Sequence, residues 1–187
     1  HDFERFTLAA LLADVAAACC AASQPAPEIF GALLMALHEL DPRSHRSAPA
    51  AACAGLVTLL AASGYEPTIA PELLRPWPKD QPRPTCFWID IESARIGLRE
   101  RQPSSPPQWP TPVLDSDRSI PLPPESVRFL HTLADGASIH PLANDHAMQL
   151  IEALTRLAEF HLETGLKGAD FWRRINGTAM PGGRNRQ

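Results

Sequence analysis

No apolar run in this chain of 187 residues reaches the roughly 18 residues that a membrane span needs. Even the alanine-rich start is interrupted by Glu4, Arg5 and Asp14, so the chain reads as soluble. No basic-then-apolar leader opens it, and its first residue is His1 rather than methionine; the segment reads as an excerpt that begins at a domain boundary. Glycine is scarce, 10 residues against 20 prolines, which points to stiff breaks between elements rather than supple ones. GxSxG, P-loop, GxGxxG and HExxH patterns are all missing, so no familiar constellation for catalysis is present and an enzyme is not expected. Excess positive charge is missing too: the formal net charge is -4, which argues against a strong, self-sufficient nucleic-acid binder.

What is there folds. A hydrophobic share of 44% excludes a wholly disordered chain. Residues 3–22 carry Phe3, Phe6, Ala10, Leu11, Val15 and Ala18 at steps of three to four, a helical stripe made of good helix formers. "PEIFGALLMALHELD" (27–41) opens on Pro27 and Glu28 and sets Ile29, Phe30, Leu33, Leu34, Leu37 and Leu40 on a broad apolar face. A third helix is predicted over 48–62 with Leu56, Val57, Leu59 and Leu60 inside. Gly64 is placed to stop it, and Pro67 and Pro71 keep it stopped. These three helices are expected to pack together. Helices are predicted again at 124–133, at 144–162 with Met148, Ile151, Leu154, Leu157 and Phe160 on one face, and at 169–175.

The stretch between differs. "RPWPKDQPRP" (75–84) and "QPSSPPQWPTP" (102–112) read as extended, partly polyproline segments. "TCFWIDI" (85–91) and "ARIGLRE" (94–100), joined at Glu92 and Ser93, predict a β-hairpin that must lean on the helices or on a metal for stability. The fold class is thus mainly α, a bundle of about six helices with a small hairpin insert. The helical domain takes residues 1–64 and 123–176, the proline-rich insert 65–122, and a frayed tail 177–187.

Three stretches in this order, "IFGALLMALHELDP" (29–42), "LLAASGYEPTI" (59–69) and "LAEFHLETGLKGADFWRRI" (157–175), resemble the C-terminal region of the RecO family of DNA repair proteins. The resemblance implies a recombination mediator: a bacterial cytoplasmic, nucleoid-associated protein. It implies partners, too: the acidic tail of single-stranded DNA-binding protein, RecR, and single-stranded DNA, held weakly by this segment. RecA loading or strand annealing would be the outcome. It also implies an N-terminal OB-fold domain, absent from this segment. Many relatives carry two close cysteine pairs after the "GYEP"-like turn that bind structural zinc. This chain has only Cys86 there, no CxxC pair, and no histidine between residues 46 and 130. No metal or other cofactor is expected, since tetrahedral zinc needs four ligands. The insert reads as a degenerate zinc-finger-like hairpin with Trp77, Phe87, Trp88, Ile89 and Trp109 as an apolar plug.

Cys19, Cys20, Cys53 and Cys86 read as free thiols of a reducing compartment. His131, His140 and His146 have spacings that fit no ligand motif. His38 and His161 sit on amphipathic helices, and Asp90 and Glu92 flank a turn where solvated carboxylates are ordinary. The candidate binding residues are Arg156, Lys167, Phe171, Trp172, Arg173 and Arg174, cations interleaved with aromatic rings. Such a set could hold single-stranded DNA or an acidic peptide with a hydrophobic end. The alternative is that Phe171 or Trp172 packs the last helix onto the core of a helical interaction or structural domain unrelated to DNA.

Overall fold

Alanine decides the centre of the fold. The computed structural model describes residues 2–20, 26–44, 46–70, 73, 87–98, 118–136 and 141–176. Its helices are α1 (Asp2–Cys19), α2 (Pro27–Glu39), α3 (Ala48–Ala62), α4 (Pro124–Ala134), α5 (Asn144–His161) and α6 (Lys167–Ile175). Helix α3 is buried without a break from Ala48 to Leu56 and again at Leu59 and Leu60. Small side chains let α1, α2 and α5 approach it from several sides. Ser47 caps its first turn, Oγ accepting from the Ala50 amide at 3.4 Å. On its flank the Cys53 thiol donates to the Ala147 carbonyl of α5 at 3.3 Å. That burial pushes the Cys53 thiol well above its ordinary pKa.

Helix α3 ends as its sequence predicts. Gly64 takes φ +83°, its amide donating to Ala61 and that of Tyr65 to Leu60. This is the Schellman arrangement, which needs a left-handed residue where glycine is placed. Helix α5 ends the same way, with Glu163 amide to Phe160 and Thr164 amide to Glu159, but there a glutamate holds φ +50°.

The predicted hairpin is present, as β2 (Phe87–Asp90) and β3 (Arg95–Gly97), with Ile89 opposite Ile96. It belongs to something larger. Two short segments join it, β1 (Thr68–Ile69) parallel to β3 and β4 (Ser119–Leu122) antiparallel to β2, giving the order β1-β3-β2-β4. Neither alternates strongly enough to announce itself, and Pro121 in β4 argues against a strand. It is tolerated because β4 lies at the sheet edge. Ile89, Ala94, Ile96 and Leu122 lie in the same hydrophobic cluster as the helices, so the sheet leans on the helical core as the hairpin was expected to. Of the expected plug, Ile89 is buried and Phe87 and Trp88 are half-buried; Trp77, Trp109, Cys86, both proline-rich segments and the tail lie outside the described residues.

The inward faces of α1 and α2 correct the sequence reading. The core side of α1 is Leu8, Leu11, Leu12, Val15 and Ala16, whereas Phe3 and Phe6 are 59% and 64% exposed and share an outward stripe with Ala13 and Ala17. Helix α1 carries two apolar stripes, and leucines fill a gap between helices better than rings at its fraying start. On α2, Ile29 and Leu40 point in as expected, while Phe30 and Leu34 are exposed. Among the described residues no helix is long and apolar enough to cross a membrane.

Candidate partner-docking surface

Five of the six candidate residues lie on α6, and the start of that helix is set from far away in the chain. Leu166, at its N-cap, offers no capping side chain. Asp14 of α1 supplies it instead, Oδ2 accepting from the Gly168 amide at 2.8 Å. A carboxylate there meets both an orphan amide and the positive end of the helix. The approach is close enough that a Cβ on Gly168 would sit 2.9 Å from Leu11 Cα. Glycine is required at this crossing because backbone cannot step aside.

One edge of α6 then turns inward. Trp172 is 1% exposed and packs in the core cluster. Its neighbour Arg173 lies over α5, its two terminal nitrogens donating to the Glu159 carboxylate at 3.0 and 2.8 Å and Nε to Glu152 at 2.9 Å. Asp170 adds a longer contact of 3.7 Å, and Arg156 takes the other Glu152 oxygen at 2.6 Å. Burial would lower the Arg173 pKa, but hydrogen bonds to Glu159 and Glu152 outweigh it and hold the guanidinium above its ordinary value. Among the described residues, three carboxylates surround two guanidiniums, so this edge is a clamp between α5 and α6.

The opposite edge turns outward. Lys167, Phe171 and Arg174 are exposed at steps of four and three along one side of the helix, and neither cation forms an ion pair among the described residues. The Phe171 ring meets Phe3 of α1 edge-on, centroids 6.3 Å apart at 76°, in a favourable geometry for aromatic pairs. Ile175 is exposed on the next turn. The result is an apolar seam between α1 and α6 with two unpaired cations beside it. The sequence reading missed Phe3 here; its i, i+3 pairing with Phe6 pointed as well to an outer stripe as to an inner one.

Other candidates resolve into structural roles. Asp90 accepts from the Glu92 amide and the Ser93 hydroxyl at 2.9 and 3.1 Å, shaping the hairpin turn. Glu92 pairs with Arg118 at 2.7 Å, and the Arg118 guanidinium lies 5.3 Å from the centre of the Phe160 ring. His161 stacks on Tyr65 at 4.6 Å, and His131 meets Asp135 at 2.7 Å; His140 lies outside the described residues. Among the described residues no three His, Cys, Asp or Glu side chains are grouped to hold a metal.

Residues 1–70 match the family model described as recombination protein O C terminal. Over those residues the chain is similar to a RecO C-terminal region. The matched residues contain α1, α2, α3 and β1, and with them Phe3, while α6 lies beyond them. The description of that family names recombination, and the likeness extends over the first 70 of 187 residues. No curated protein and no solved structure matches the chain.

Proposed function

We propose that this chain serves a recombination mediator as a partner-docking module, and that the seam between α1 and α6 is the docking surface. The observation that carries the reading is the exposed Phe3–Phe171 pair with Lys167 and Arg174 beside it, on a chain whose first 70 residues match the RecO C-terminal family model. An acidic peptide with a hydrophobic end fits such a surface, its side chains on the rings and its carboxylates on the cations. The tail of single-stranded DNA-binding protein has that chemistry. RecR is the second protein partner, and RecA loading or strand annealing the outcome. The formal charge of -4 makes direct contact with single-stranded DNA weak in this segment.

Trp172 and Arg173 support the surface from behind, since both are already committed within the fold. Arg156, half-exposed beside Glu152, borders the clamp rather than the seam. The test is an anisotropy titration with a labelled acidic peptide ending in the host's single-stranded DNA-binding protein tail. Binding on the order of micromolar that weakens with salt and is lost in Lys167→Glu/Arg174→Glu supports the proposal. Unchanged binding in that variant overturns it.

A further inference from the structure

A second surface, on the far side of α3, has a different character. A groove of 440 Å³ runs between the last turns of α3 and α4 and the outer edge of β1. Its floor is apolar, with Val57, Ile69, Leu130 and Leu133 among its lining residues, and its rim carries Glu66 and Asp135. Strand β1 closes one end of the sheet. Its inward amides are used, Thr68 donating to Ala94 at 2.8 Å and Ala70 to Ile96 at 3.1 Å. Alternation along a strand turns the Ile69 amide and carbonyl, and the Pro67 carbonyl, the other way, toward the groove. Pro67 has no amide to give, so the edge left open among the described residues offers about three backbone groups.

We propose that this groove binds a short, extended peptide segment of a partner protein that adds as a strand to β1. Apolar side chains of the segment enter between α3 and α4, and a lysine or arginine meets the rim. The sign follows from the carboxylates: Asp135 is paired with His131, while Glu66 is exposed and forms no ion pair among the described residues. A basic segment is the complement of this rim, whereas the acidic tail proposed for the α1–α6 seam is repelled by it. The two surfaces thus select opposite partners, and this inference does not depend on the first.

Panning a phage library of random heptapeptides on the intact chain, and sequencing the retained pool, tests it. Peptides alternating apolar residues with lysine or arginine are expected. They should be lost on Ala134→Arg, which blocks the groove from an exposed position, and retained on Phe171→Ala, which alters only the other surface. Glu66→Lys should shift the retained pool toward acidic peptides. N-methylation of the selected peptide at the amide facing β1 should weaken binding about tenfold, because one main-chain hydrogen bond is lost. No enrichment, enrichment of acidic peptides on the unaltered chain, retention on Ala134→Arg, or indifference to N-methylation would each overturn the proposal.

Discussion

Arg173 and Arg174 are neighbours in the chain and opposites in environment. The first is a fixed part of the molecule, its guanidinium held by Glu152 and Glu159 with its side chain 15% exposed. The second stands in solvent. Trp172 and Phe171 divide the same way, one buried at 1% and one at 38% against Phe3. A cluster of cations and rings in a sequence is therefore not a surface until the helix has assigned a direction to each residue. On α6 that assignment is made by Gly168 and Asp14, which fix how the helix lies on α1.

The contrast can be broken from the inside first. Trp172→Ala should cost about 3–5 kcal/mol, the penalty for emptying a ring-sized space in a core, read by urea unfolding. Arg173→Ala should cost about 2–3 kcal/mol, because Glu159 and Glu152 are left facing each other without their cation. Adding Glu159→Ala to that variant should recover part of the loss, and simple additivity in the cycle would show that the clamp is not a unit. From the outer edge, by comparison, Arg174→Ala should move stability by no more than about 0.5 kcal/mol in the same measurement.

A second pair of sites sharpens the comparison on the backbone. The same helix ending is held by glycine at residue 64 and by glutamate at residue 163, with φ +83° and +50°. Gly64→Ala should destabilise by about 1 kcal/mol and Glu163→Gly stabilise by about the same, since only the left-handed strain of a Cβ changes sign between them. Equal and opposite shifts in thermal midpoint would confirm that both ends are closed by this geometry; shifts of the same sign would refute it.

Much of this fold was legible. Residues 48–62 were read as a helix from Leu56, Val57, Leu59 and Leu60 before Gly64, and they form one, closed at its start by Ser47. The hairpin was visible in the two apolar runs around Glu92 and Ser93. Strands β1 and β4 were not, being two and four residues long and defined by partners distant in the chain rather than by their own pattern. The stripe read on α1 did not separate inside from outside, because Phe3 and Phe6 obey the same helical spacing as the leucines that fill the core. For the site, residue type was readable and direction was not. Nothing local to "KGADFWRR" says that Arg173 will meet carboxylates 14 and 21 residues earlier and that Arg174 will meet none among the described residues.

The most direct test of the docking claim is to watch where an acidic, hydrophobic-ended peptide lands. In a heteronuclear NMR titration of the intact chain, the amide shifts should gather on Phe3, Lys167, Phe171 and Arg174. Glu66, Ile69 and Leu133 in the other groove should stay still. Shifts that gather around that groove, or along the clamp at Glu152 and Glu159, would contradict the account.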